Sequence, residues 1–390
     1  MKYQYKSKKE YSSLNKKIVS DQQKEHETKQ NTIYFTVNVD YYDEYEKYYL
    51  VIPQNYLDQI ETLRKKKQDI FAKGKILTFS YENDKFTFDA VIDSTEDTIY
   101  AYLVPIKERY RNSTDLVGQY TVNERTGDLT YYRMKQAIDE FLDNNCCSKI
   151  IEKYILGDDT SNFNNKPLNQ LFNYNRYYLA TIPGFAGLST YQESQMRKIF
   201  FNVMNTIELK STSDKKIICL IIYAILQMRK NIKDKILICS SSNTVADSIS
   251  LDLLEMRNFV TKLNILRIYA KNQEIIKRNK KIYRISFHKI IKRKFKRKFK
   301  DFNDKKNWII QKNDIIISTC VNSYNDDIIN YQFPFVIIID ANNSSENENL
   351  IPLTLNAKHV LLISYEGNEN GELNLYERMN HLYPNIHRKI

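Results

Sequence analysis

Between Thr32 and Pro105 apolar and polar side chains alternate in short bursts: Ile33–Val39, Tyr48–Ile52, Lys75–Tyr81, Phe86–Ile92 and Thr98–Val104. Period-two alternation broken by turn residues such as Glu82-Asn83-Asp84 predicts five strands of a small antiparallel barrel or curled sheet. The period then lengthens. Met134, Ala137, Ile138, Phe141, Ile150, Ile151, Tyr154 and Ile155 recur at helical spacing over residues 131–156. From Lys235 onward the pattern changes again, to unbroken apolar runs: Lys235–Cys239, Asp314–Cys320, Phe335–Asp340 and His359–Ser364. Such runs, with helical segments between them, describe strands buried on both faces of a parallel sheet, and hence an α/β domain. Further elements are expected as helices over 215–230 and 244–257, a strand over 264–269 and a short helix over 346–356. Residues 1–30 are polar and read as a frayed leader or a solvated helix.

Glycine is absent from residue 188 to residue 366. A loop that wraps phosphates needs it, because the backbone must turn with φ > 0 and approach the oxygens closely. A sheet of this kind without those glycines is the first sign that the site at its edge has changed.

The charge balance of 59 basic against 47 acidic residues, a net +12, favours polyanionic partners. Much of it gathers in Lys289–Lys300, where eight of twelve residues are cationic and Ile291, Phe295 and Phe299 recur every four. That is one apolar stripe under a basic face. It serves phosphate contact, a solvated charge run, or a helix for a membrane surface or protein partner; Lys292, Arg293, Lys294, Lys296, Arg297 and Lys298 are its candidate contacts. The five cysteines and five histidines have no metal-ligand spacing, so no metal site is expected. The longest apolar run, Ile217–Leu226, is too short to cross a bilayer, and an intracellular protein without a membrane partner is expected, cytoplasmic or alternatively nuclear.

Taken in order, several segments resemble the first RecA-like domain of superfamily 1 helicases of the up-frameshift type, the RNA helicases of nonsense-mediated decay. Tyr131-Tyr-Arg-Met-Lys135 and Tyr154-Ile-Leu-Gly157 are similar to that family's helical stalk. Leu188-Ser-Thr-Tyr-Gln192 resembles its adenine-recognition motif. Leu237–Asp247 resembles its strand and nucleic-acid-contacting turn, and Ile316–Val321 its next contact motif. Val336–Asp340 resembles the strand and aspartate of its magnesium site, with Ala357–Ile363 as the strand that follows. The resemblance covers residues 30–385. It implies a RecA-like (P-loop NTPase type) parallel sheet with an inserted β-barrel and helical stalk. The corresponding division is 1–30 leader, 31–110 barrel, 111–180 stalk and connection, and 181–390 RecA-like domain with a basic insertion at 271–306.

The resemblance also assigns roles. Gln192 would read an adenine edge, Lys216 would reach a phosphate, and Asp340 would hold Mg²⁺, against simpler readings of a solvated lysine and an aspartate that only caps a turn. Ser242, Asn243 and Thr319 would touch a strand backbone. The departures fall on the motor. The family's GPPGTGKT is here Lys210-Ser-Thr-Ser-Asp-Lys-Lys-Ile217, its DE is Asp340-Ala341, and its GDxxQ is Ser364-Tyr-Glu-Gly-Asn368. A second RecA-like domain would be expected after Ile390. The expectation is a degenerate, truncated helicase-like protein that binds RNA or single-stranded nucleic acid without ATP-driven unwinding, as a scaffold or regulator. An active helicase or decay factor would be its protein partner, and no catalytic residue is assigned beyond the relict Asp340. No cofactor is expected, with ATP and Mg²⁺ entering only if the altered site still works. The alternative is a divergent ATP-dependent RNA helicase subunit that needs a partner chain or a second RecA-like domain.

Overall fold

The structure is a computed structural model. It describes residues 4–29, 35–42, 47–51, 56, 76–81, 86–96, 100–105, 116–124, 128–143, 145–158, 207–211, 215–229, 231, 233–256, 263–270, 279–294, 302–325, 327–365, 374–384 and 387–389. The chain divides into two compact units, one formed mainly by residues 21–128 and the other by residues 1–20, 129–269 and 279–390.

The smaller unit is a closed antiparallel barrel of six strands, β1 (Phe35–Tyr42), β2 (Lys47–Val51), β3 (Ile76–Tyr81), β4 (Phe86–Glu96), β5 (Tyr100–Pro105) and β6 (Gly118–Glu124), ordered β1-β2-β5-β4-β3-β6. Alternation fills it: Val37 and Val39 are buried while Thr36, Asn38 and Asp40 face out. Phe79 and Phe88 stack at 4.7 Å and Tyr120 meets both edge-on, so large rings occupy the narrow interior. The alternation between 32 and 105 predicts only five strands. The sixth, β6, pairs with both β1 and β3 and closes the barrel.

The larger unit holds a seven-stranded parallel sheet. Its strands are β7 (Ile207–Ser211), β8 (Ile236–Ser240), β9 (Ile265–Arg267), β10 (Ile315–Ile317), β11 (Phe335–Ile339), β12 (His359–Ser364) and β13 (His387–Lys389), in the order β13-β7-β12-β11-β8-β10-β9. Each central strand feeds two cores. Ile236, Ile238, Ile337 and Ile363 pack under α4 (Lys215–Met228) and α5 (Asn243–Met256). Leu237, Val336, Ile338 and Leu362 pack under α2 (Asp128–Asp143), α3 (Lys149–Leu156), α8 (Phe302–Lys312), α9 (Glu346–Leu353) and α10 (Leu375–Leu382). This is why the strands read as continuous apolar runs rather than as alternation.

Four segments depart from the sequence reading. The polar leader is α1 (Lys8–Lys29), and it is not simply solvated: Tyr5, Tyr11 and Val19 lie buried in the second of these cores, and the Tyr5 N–H donates to the Leu156 carbonyl at 2.8 Å. Three aromatic or aliphatic anchors dock a helix whose average polarity hides them. Strands β7 and β13 were not foreseen, because Ile207–Ser211 is a weak alternating segment and His387–Lys389 is three polar residues. The basic segment 271–306 is broken: α6 (Lys280–Ile285) and α7 (Phe287–Lys294) meet at Ser286, whose extended backbone ends the first helix. Ile285 belongs to one core and Phe287 to the other, so this elbow straddles the sheet beside β9, to which Ser286 pairs at Arg267.

Candidate functional site

All strands of the sheet are parallel, so their carboxyl ends share one edge, where open α/β sheets place their ligand sites. Ser211, Ser240, Ser318, Asp340 and Ser364 end or directly follow β7, β8, β10, β11 and β12 there.

Asp340 follows β11 in the left-handed region, φ 62°, which aspartate tolerates better than most residues. The turn carries the chain through a short 3₁₀ segment to Ser345, which opens α9 with a capping box: its hydroxyl accepts from the Glu348 N–H and the Glu348 carboxylate accepts from the Ser345 N–H. Asp340 is buried, and each carboxylate oxygen is engaged. Oδ2 accepts from the Ser241 hydroxyl at 2.8 Å and Oδ1 from the Asn343 amide at 2.6 Å. The next residue, Ala341, is fully buried, and its carbonyl accepts from Asn349 Nδ2. Tyr365, just beyond β12, has its phenol pushed up to about 12 by burial, with Asp340 and Asp252 adding negative charge nearby.

On the β7 side, Ser211 still pairs with Ser364 of β12 and Lys389 of β13. Only Thr212, Ser213 and Asp214 separate it from α4, and these lie outside the described residues. Lys216, the second residue of α4, is exposed; its neighbour Lys215 donates to the Ser248 hydroxyl at 2.9 Å. Gln192 also lies outside the described residues.

Toward the β9 edge the arrangement is different. The Ser242 hydroxyl accepts from the Val245 N–H at 3.3 Å and caps α5, and the Ser240 hydroxyl donates to the Ser242 carbonyl at 2.8 Å. Asn243 turns inward: its Oδ1 accepts from Arg267 Nη2 at 2.8 Å. Arg267 is fully buried. Its Nε bonds Asp247 at 2.9 Å, Nη1 donates to the Ile268 carbonyl at 2.7 Å, and the guanidinium lies 4.0 Å from the centre of the Tyr269 ring. The Tyr269 hydroxyl donates to the same Asp247 oxygen at 2.7 Å, and the buried guanidinium is bonded through all three of its nitrogens. Thr319 Oγ1 accepts from the Asn322 N–H at 3.3 Å and remains half-buried at the edge.

Ser242, Asn243 and Thr319 therefore gather on the carboxyl edge of β8 and β10, and Asp340 lies on that edge one strand away. Lys292, Arg293 and Lys294 end α7, while Lys296, Arg297 and Lys298 lie outside the described residues. The buried Arg267–Asp247 pair escaped the sequence reading. Its signal was there: a lone arginine inside the apolar run Ile265–Tyr269, and an Asn243/Asp247 pair four apart on one helix face. Among the described residues no group of three or more His, Cys, Asp or Glu is placed to hold a metal ion. Among them, too, no helix is long and apolar enough to cross a membrane.

Residues 273–363 match a family model described as an AAA domain. The chain is 24% identical over 295 residues to the ATP-dependent helicase NAM7 of Saccharomyces cerevisiae, an overlap covering 70% of this chain and 28% of that protein. It is 26% identical over 208 residues to regulator of nonsense transcripts 1 of Dictyostelium discoideum (48% of this chain, 15% of that one). To the Arabidopsis thaliana homologue it is 23% identical over 285 residues, 67% of this chain and 21% of that one. The matches thus span between about a seventh and about a quarter of those proteins' own lengths. The crystal structure of the Pyrococcus furiosus Hef helicase domain overlaps 63% of this chain and 42% of its own at 10% identity, with a TM-score of 0.25. The fold is α/β with a parallel sheet. The resemblance to up-frameshift-type superfamily 1 helicases, read from the motifs, is borne out by these relatives.

Proposed function

We propose that this chain is a degenerate helicase-like protein that binds RNA, or single-stranded nucleic acid, without driving unwinding, and acts as a scaffold or regulator. In this reading the larger unit is a RecA-like domain, the barrel is its insertion, and α2 with α3 corresponds to the stalk. An active helicase or decay factor is the protein partner, and the setting is cytoplasmic or nuclear.

The carrying observation is the fate of the phosphate side of the sheet edge. A phosphate-cradling motif places six residues, two of them glycine, ahead of its lysine. Here β7 remains hydrogen-bonded through Ser211, leaving four residues before Lys216, none of them glycine. No hydroxyl residue follows Lys216 to meet Mg²⁺, and Ala341 supplies no carboxylate to orient water. Phosphoryl transfer depends on charge stabilisation by several such groups at once, and loss of one alone costs on the order of 10²-fold. The β9 side of the edge, by contrast, keeps short hydroxyl residues beside a cationic segment, the composition that suits contact with a phosphate backbone.

One observation favours the alternative of a divergent ATPase: Lys216 stands in the first turn of the helix after β7, the place of a phosphate lysine. Fluorescent-ATP anisotropy with Mg²⁺, with and without single-stranded RNA, tests both readings. The proposal expects RNA binding with no nucleotide binding up to millimolar concentration. Nucleotide binding abolished by Lys216→Ala would replace it with the ATPase reading.

A further inference from the structure

The α6–α7 elbow presents an aromatic ring and several cations to solvent. Ile282 and Ile285 face the core, which leaves Lys280, Lys281, Tyr283 and Arg284 on the outer side of α6. Tyr283 is a large aromatic side chain exposed to solvent, at 38%. Its ring is held in place. Lys289 Nζ lies 4.6 Å from the ring centroid, and the His288 ring is tilted against it at 5.7 Å. Ser286 donates its hydroxyl to the Tyr283 carbonyl at 2.7 Å and pairs through its backbone with Arg267. Arg267 in turn fixes Asn243. One buried guanidinium thus ties the elbow to the Ser242–Asn243 turn. The acidic group beside these cations is Glu255, 3.8 Å from Lys281, with both side chains mostly exposed.

We propose that Tyr283 is a base-stacking platform for single-stranded nucleic acid, with Lys280, Arg284 and Lys289 taking the flanking phosphates. The inference rests on the nucleic-acid reading above and adds to it a residue that contacts bases rather than backbone. An aromatic face accepts any unstacked base, whereas a duplex offers none, so the platform selects single strands without selecting sequence. The cation over the ring adds its own attraction to a neighbouring phosphate.

The test measures anisotropy of labelled oligo(U), oligo(dT) and a duplex, each of about 12 nucleotides, a length within the span of common single-strand sites, on the full chain. Tyr283→Leu keeps bulk without a π-face; it is expected to weaken both single strands about 10-fold, with the salt dependence unchanged. Tyr283→Phe should stay within about two-fold of wild type. Lys280→Gln with Arg284→Gln should instead flatten the salt dependence, by about 0.7 in log–log slope per lost contact. Tyr283→Leu binding as tightly as wild type overturns the platform and leaves the nucleic-acid reading standing. Equal affinity for the duplex also overturns it. A wild-type chain that binds no oligonucleotide brings down both readings together.

Discussion

Two stretches of the sheet's carboxyl edge, one at the central strand β11 and one toward the outer strand β9, are built by different rules. Around Asp340 each carboxylate oxygen accepts a hydrogen bond from the chain itself, the following residue is a buried alanine, and the strand across β12 stays paired through Ser211. Around Arg267 the guanidinium nitrogens are all bonded too, but in a network that ties together the Ser242 turn and the cationic elbow. Internal satisfaction has opposite consequences in the two places. At Asp340 it competes with any ligand for the carboxylate. At Arg267 it stiffens the surface that, in the proposed function, would meet a nucleic acid.

The largest test of this contrast is Arg267→Ala. It leaves the half-buried Asp247 without its guanidinium beside a void and should cost about 3 kcal/mol in chemical denaturation, together with RNA affinity in whatever fraction remains folded. A loss below about 1 kcal/mol would mean that the network does not hold the edge. Next is Asp340→Ala, which removes two hydrogen bonds and places alanine at positive φ; about 2 kcal/mol is expected. RNA affinity should not move, and if it falls as far as stability does, the two stretches are one site and the comparison fails. Asp340→Gly, free to adopt φ 62°, should recover about 1 kcal/mol of that loss.

A smaller effect separates the two stretches by pH. The Tyr365 phenol is raised by burial and by Asp340 and Asp252, so its folded value lies above its unfolded value near 10. Its contribution is therefore complete below pH about 10 and lost as pH rises toward 12. Tyr365→Phe should make the alkaline loss of Tm over that range shallower, and an identical pH profile would remove Tyr365 from the Asp340 stretch. The smallest change expected is at Asp252, whose carboxyl is raised by burial, partly offset by Lys215, and whose Oδ2 is buried without a hydrogen bond. Its cost appears as pH climbs through the carboxylate range and persists at neutrality. Asp252→Asn should raise Tm slightly at pH 7 and leave it unchanged near pH 4.

Much of the sheet was legible because a strand buried on both faces must be apolar throughout: β10, β11 and β12 fall within the predicted runs, and β8 runs one residue past its own. Strands at or near the rim escape that rule. β13 is polar and β7 only half apolar, so the pairing that carries β7 through Ser211 could not be read from Lys210-Ser-Thr-Ser. Of the edge residues, Ser242, Asn243, Thr319 and Asp340 were found through motifs. Their partners were not, since Ser241 lies 99 residues from Asp340 and Arg267 lies 24 from Asn243. Spacing along the chain carries no record of such closures.

The elbow at Ser286 has one more consequence. β9 is the last strand of its sheet, and an open edge is a template for pairing with another copy of the chain. By inserting Ile285 on one side and Phe287 on the other, the basic segment plugs that edge like a cork, with Lys280, Lys281 and Arg284 turned to water. Excising it to abolish nucleic-acid contact would uncork the sheet, and the shortened chain would be expected to self-associate before its affinity could be measured.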